Sequence, residues 1–324
     1  MKTSSLLFFS LFVMTAGVSV AQFDGAVGTS GCKAIQYNDS RIVDWATGCT
    51  VYRGYYDIAN NRTRASFGTD TVAIGMATAS NTMEAVSLGD SGVAVLTFAT
   101  PIANGEGPDF AVYENSFGDG FLELAFVEVS SDGQRYVRFP ATSNTPTATQ
   151  VGSFVSNMDP TLMNNLAGKY RIGWGTPFDL EELADSTAID INNITHVRLV
   201  DCIGTIDPQY CTYDANGNIV NDPYPTAFNS GGFDLTGVAV LNQRTLGIGM
   251  AQVDDVRVFP NPCQHFVQMS GMPAGEEYHI YDLNGKTVIS GICPSNSFSI
   301  STQNLKQGVY VMKIGRFAKK IVKK

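Results

Sequence analysis

The chain has 324 residues, of which 44% are hydrophobic and only 16% charged, with 32 glycines and a formal net charge of −9. That length holds two domains at roughly 150 residues each, with apolar material for sizeable cores. Low charge with abundant Gly excludes a disordered or coiled-coil chain, and the acidic balance excludes nucleic acid as a partner.

The charge is unevenly divided. Residues 22–252 carry 11 Lys and Arg against 25 Asp and Glu, whereas residues 253–324 carry 9 against 5. An acidic part suits cations or neutral polar ligands; a basic tail suits an acidic partner. We therefore expect two units. Residues 1–21 read as a signal peptide: Lys2, the apolar run Leu6–Val13 and the small-residue site Ser19-Val20-Ala21. No other stretch is long and apolar enough to span a membrane, so the mature chain is expected to have no transmembrane segment. Six cysteines in an exported chain suggest disulfides, and the pairs 32–49, 202–211 and 263–293 keep each bridge within one unit.

Residues 22–242 read as the first domain. Ala85–Leu88 and Val93–Phe98, either side of Gly89-Asp90-Ser91-Gly92, predict a hairpin. Asp109–Asn115 alternates, with Phe110, Val112 and Glu114 on one face. Leu122–Ser130 alternates too, placing Glu123, Ala125, Val127 and Val129 together; Glu123 and Glu128 are expected at exposed strand positions. Ser131-Asp132-Gly133 turns the chain into Tyr136–Phe139, a second hairpin. Asp179 with Glu182 has capping-box spacing and predicts a short helix over Leu180–Ala184. Ile194–Val200 is a strand, and Gly237–Leu241 closes the unit. Short strands, frequent turns and almost no helix predict an all-β fold, a jelly-roll-like sandwich. Residues 243–252 read as a linker, and residues 253–324 as a small immunoglobulin-like sandwich.

The loop between the last two strands of the first domain, 201–234, is rich in Asp and has no Lys or Arg. Asp214, Asn216, Asn218 and Asp222 offer hard oxygen ligands, and Asp234 and Glu114 stand at neighbouring strand ends. We expect calcium as a cofactor at these six residues, because calcium takes six to eight oxygens. Exposed aromatic rings beside acids and amides suit sugars, and Trp174, Tyr213 and Tyr224 are the expected ligand-binding residues. No catalytic residue is assigned. Asp109, Glu114, Glu123 and Glu128 could supply a carboxylate pair for glycoside hydrolysis, and His196 is the one histidine a triad in this domain would use. His196, however, reads as a mid-strand residue. No phosphate loop, HExxH motif or nucleophile elbow occurs.

The second unit carries specific motifs. Val258-Phe259-Pro260-Asn261-Pro262 opens it. Ile280-Tyr281-Asp282-Leu283-Asn284-Gly285-Lys286 forms a hairpin with a favoured Asn-Gly turn. Gly308-Val309-Tyr310-Val311-Met312-Lys313-Ile314 and the basic terminus Lys319-Lys320-Ile321-Val322-Lys323-Lys324 follow. In this order they resemble the C-terminal sorting domain of type IX secretion cargo of the Bacteroidota. The resemblance implies Sec-dependent export, recognition at the outer membrane by the type IX machinery and its sortase, and an extracellular or cell-surface destination. In the first domain, GPDFAVYENSF, LAFVEVSSDG, GTPFDLEEL and GGFDLTGVAVL resemble uncharacterised bacterial cell-surface β-sandwich proteins. The expected function is ligand binding or adhesion, toward a polysaccharide or similar polar ligand. Two alternatives stand beside it: a glycan-active hydrolase or lyase, and surface capture of a small nutrient such as a cobamide for an outer-membrane transporter.

Overall fold

The computed structural model describes residues 23–244, 257–271, 274–314 and 317–324. The expected signal peptide and most of the expected linker lie outside these residues. The described chain forms two compact units, one ending at Arg244 and one beginning at Arg257. Both are built of antiparallel strands, and no described helix is long and apolar enough to cross a membrane.

The first unit is a two-sheet sandwich. The strands of these two sheets, in chain order, are β1 (Ile35–Gln36), β2 (Asp44–Trp45), β3 (Gly48–Tyr52), β4 (Val86–Ser87), β5 (Val93–Ile102) and β6 (Phe110–Glu114). They continue as β7 (Ala125–Ser130), β8 (Val137–Arg138), β9 (Leu166–Ala167), β10 (Trp174–Phe178), β11 (Ile194–Asp201) and β12 (Asp234–Val240). One sheet runs β1-β10-β6-β12-β2 with β4 beside β12; the other runs β8-β7-β11-β5-β3 with β9 beside β7. Taking β2, β5, β6, β7, β8, β10, β11 and β12 as the eight main strands, the first, eighth, third and sixth neighbour one another in one sheet. The second, seventh, fourth and fifth do so in the other. That order is a jelly roll, two interleaved Greek keys.

Alternation built the inner faces. Phe110, Val112, Phe178, Leu235, Val238 and Val240 of one sheet pack against Leu96, Val127, Val129, Val197 and Leu199 of the other. The outer faces are covered as well. Ala111, Tyr113 and Ala239 share a cluster there with Ile35, Tyr37 and Trp45 from both edges of the same sheet. Leu122, Leu124 and Phe126 lie under Met158, Met163 and Val220 from the long connections. Strands β6, β7 and β12 are consequently buried along their whole length.

Three expectations need correction. Ala85–Leu88 and Val93–Phe98 are not a hairpin: β4 pairs with β12 and β5 with β11 and β3, so the 89–92 turn carries the chain from one sheet to the other. Gly89 (φ +75°) makes that possible, since a Cβ there would meet the Gly54 carbonyl carbon at 2.8 Å. Glu123 and Glu128 are buried, not exposed: Glu128 lies on the outer face, which is covered, and Glu123 continues the inward parity of Ala125, Val127 and Val129. The six cysteines are all free thiols. Cys32 precedes β1 at one lateral edge of the sandwich, while Cys49 lies on β3, which follows β2 at the opposite edge, so their expected bridge cannot close.

Other expectations hold. β7 and β8 pair as the second hairpin, with Val137 opposite Val129. Leu180–Leu183 forms one 3-10 turn rather than an α-helix, and the Asp179 carboxylate caps it by accepting the Glu181 backbone N–H.

The second unit is a smaller sandwich of β13 (Arg257–Phe259), β14 (Phe266–Ser270), β15 (Glu277–Tyr281), β16 (Thr287–Ile292), β17 (Ser297–Ser301), β18 (Gly308–Ile314) and β19 (Phe317–Lys323). Its sheets run β13-β14-β17 and β16-β15-β18-β19, around Val267, Met269, Ile280, Tyr310, Met312 and Ile321. Cys263 and Cys293 are both buried in this core. The basic terminus is itself a strand, with Ile321 turned inward and Lys319 and Lys320 exposed.

Candidate functional site

The acidic residues of the first unit are used in two distinct ways. Most hold backbone in place. Asp201 accepts the N–H groups of Phe233 at 2.8 Å and Ser91 at 3.1 Å, tying β11 to the start of β12 and to the sheet-crossing turn. Asp222 accepts Leu124 N–H at 2.9 Å, and Asp109 accepts Leu180 N–H at 2.7 Å. Asp214 receives the backbone N–H groups of Asn216 and Asn218 and that of Ser143, each at 2.8 Å, with the Asn218 amide at 3.0 Å. Burial would raise the Asp214 pKa, but these donors overcome it and hold the carboxyl below its ordinary value. The Asp214 carboxylate is thus spent on its own turn and on Ser143.

Elsewhere the carboxylates crowd together. Glu114 is the last residue of β6 and Asp234 the first of β12, and because these strands run antiparallel as neighbours, the end of one lies beside the start of the other. Glu123, on the crossing to β7, completes the group: one oxygen from each of the three lies within 4.8 Å of the others, and all three are buried. Asp234 accepts the Ser87 hydroxyl and, at 3.1 Å, the Asn115 amide. Glu114 Oε2 accepts Ser116 N–H at 2.6 Å, while Glu114 Oε1 is buried with no hydrogen-bond partner.

The electrostatics follow from that crowding. Two full charges about 4.8 Å apart repel by roughly 3 kcal/mol at an effective dielectric of about 20. Burial, then the Asp234 charge, pushes the Glu114 pKa well up. Burial, then the charges of Asp234, Glu114, Asp222 and Asp201, does the same to Glu123. Burial pushes Asp234 to about 7, against the opposing bonds from Ser87 and Asn115. Arg53 is the basic group that acts on Asp234, but its guanidinium already donates to the carbonyls of Phe67, Ser87 and Gly68.

Of the six expected metal-ligating residues, Glu114 and Asp234 come together, Asp214, Asn216 and Asn218 form a separate turn, and Asp222 caps Leu124. Glu123 is the member the metal set missed. Its signal was present: it continues the alternation of Ala125, Val127 and Val129, all of which face the core.

The aromatic candidates are dispersed. Trp174 is half-buried at the start of β10 opposite Gln36. Tyr213 is 50% exposed, and Tyr224 is 9% exposed with its hydroxyl donating to Asp57 at 2.6 Å. Glu128 is locked between Arg138 and Arg198 on the neighbouring strands. His196 lies mid-strand in β11, bonded to the Thr195 hydroxyl at 2.8 Å.

A cleft of about 390 Å³ opens at the β1–β10 edge, lined among others by Arg41, Lys33, Asn164, Thr176, Asp179 and Glu182. At its floor Lys169 pairs with Asp24 at 2.8 Å, and Tyr170 also donates to Asp24. The Thr176 hydroxyl is buried there without a partner.

Residues 257–324 match the family described as the secretion system C-terminal sorting domain. No curated protein matches the chain. Among solved structures it is similar to a β-glucuronidase of Faecalibacterium prausnitzii, at 11% identity and TM-score 0.20, over 87% of this chain and 45% of that one. It is also similar to the BSP domain of a biofilm-associated protein, at 13% identity and TM-score 0.18, over 72% of this chain and 48% of the other. PorZ, a surface component of the type IX secretion system of Porphyromonas gingivalis, is 13% identical with TM-score 0.19, over 91% of this chain and 47% of its own. The chain thus spans less than half the length of each, and likenesses this shallow carry no functional argument.

Proposed function

The C-terminal unit of this chain is a secretion-system C-terminal sorting domain, the mark of type IX cargo and of a secreted or outer-membrane-surface protein; on that premise we propose that the jelly roll is a surface binding module for a glycan. The observation that carries the reading is the cleft at the β1–β10 edge. At about 390 Å³ it is in the size range of small-ligand sites. Its walls offer Arg41 and Lys33 of one sign, Asp179 and Glu182 of the other, the Asn164 amide and the unpartnered Thr176 hydroxyl. Such a mixture of donors and acceptors recognises hydroxyl-rich ligands, because an unmatched polar group in a buried contact is costly.

The test is binding of the exported chain to an array of bacterial and host glycans, repeated with Arg41→Ala and Glu182→Gln. A glycan retained by the native chain and weakened at least about tenfold by each variant supports the cleft, a tenfold loss being about 1.4 kcal/mol. Binding that both variants leave unchanged would remove it.

A further inference from the structure

The cleft leaves the most unusual chemistry of the molecule unused: the buried group of Glu114, Glu123 and Asp234. We propose that these three carboxylates form a binding site for one calcium ion where β6 ends and β12 begins. This inference does not depend on what the cleft binds.

Two independent observations point to a ligand. The first is geometric: an oxygen from each carboxylate lies within 4.8 Å of the others, the spacing of groups that share one ion rather than avoid one another. The second is an unmet need. Glu114 is 1% exposed, and its Oε1 has no hydrogen-bond partner, although its Oε2 is held by Ser116 N–H. A carboxylate oxygen out of water without a donor is costly until it takes up a proton or a cation approaches it. The neighbouring donors are committed elsewhere. Ser87 and Asn115 serve Asp234, and Arg53 serves three carbonyls.

The chemical class follows from the donor set. It contains only oxygen, with no His or Cys in the group, which disfavours zinc and soft metals. Three carboxylates with the Asn115 side chain close by suit a large, hard cation of flexible coordination, completed by carbonyls or water. A cell-exterior location favours calcium over magnesium on availability, and extracellular calcium modules bind at about 10⁻⁴–10⁻³ M. The ion would tie together β6, β12 and the crossing to β7, which belong to both sheets of the sandwich.

The test uses the exported chain freed of metal by chelation. Calorimetric titration with calcium chloride is expected to give one ion per chain. At calcium about a hundredfold above Kd, the melting temperature of the first unit should rise by about 5–10 °C. Glu123→Gln, which removes one of the three carboxylates, should abolish the uptake. Asp214→Asn, which alters the DANGN turn and its tie to Ser143 but none of the three carboxylates, should leave one ion bound. Should Glu123→Gln fail to fold, terbium luminescence on the native chain, competed by calcium, reads the same stoichiometry. No saturable calcium or terbium uptake by the native chain overturns the proposal. So does uptake that survives Glu123→Gln and is lost in Asp214→Asn, and so does saturation by magnesium at the same concentration as calcium.

Discussion

Replacing Lys169 by Met is expected to destabilise the first unit by about 3–5 kcal/mol, because it breaks a buried ion pair at the floor of the cleft. Lys169 is 2% exposed, and its ammonium lies 2.8 Å from Asp24 Oδ1. Asp24 Oδ2 accepts the Tyr170 hydroxyl and, at 3.1 Å, Lys33 N–H. Burial acts against both partners. It would raise the Asp24 pKa, but the bonds from Lys169 and Tyr170 hold the carboxyl below its ordinary value. It lowers the Lys169 pKa more than Asp24 can restore it. The cost of losing one partner is mostly the cost of stranding the other out of water. Met keeps the length of the aliphatic stem, so little packing is lost. The double variant Lys169→Met/Asp24→Asn should therefore recover much of the loss. Urea unfolding followed by tryptophan fluorescence isolates this unit, because Trp45 and Trp174 are the chain's two tryptophans. A loss below about 1 kcal/mol for the single variant, or a double variant no better than the single, would refute the reasoning. Acid gives the same answer by another route. A carboxyl held low contributes stability above its unfolded pKa of about 3.9 and loses it as the pH falls through the folded value.

Asp90 should show the opposite sign. It is 2% exposed, accepts Ile58 N–H at 2.7 Å, and is pushed to about 7 by burial, with Asp57 adding to the rise. Its contribution is present below pH 4 and is lost as the pH rises through 7, at a cost on the order of 4 kcal/mol once fully ionised. Asp90→Asn keeps an acceptor for Ile58, so at fixed calcium it should stabilise the protein at pH 8 and leave it unchanged at pH 4; equal effects at both would contradict the assignment. Deleting residues 253–324 should leave the chain in the periplasm on cell fractionation, and truncated protein on the cell surface would show that the address lies elsewhere.

How much of this was legible beforehand depended on whether a residue's partners were near it in sequence. The sorting domain announced itself because its turns are local chemistry: Asn284-Gly285, with Gly285 at φ +79°, is a strong hairpin signal on its own. The alternation of Phe110 and Val112 marked an inner face for the same reason, since period two is a property of the strand alone. What the sequence did not reveal was the covering of the outer faces. Glu128 looks exposed until Arg138 and Arg198 close over it, and Arg198 comes from 70 residues away.

The acidic loop misled for a related reason. Asp, Asn and Gly spaced closely are what a calcium loop needs, and also what a tight turn needs. The residues around Asp214 serve the turn, where the carboxylate answers four N–H donors within its reach. The three acids of the buried group are dispersed at 114, 123 and 234, and a sandwich that returns its last strand beside β6 assembles them. A jelly roll therefore does more here than present loops. By laying its eighth strand beside its third, it concentrates negative charge inside an already acidic unit, and stability at neutral pH then requires either protons or a cation at that point.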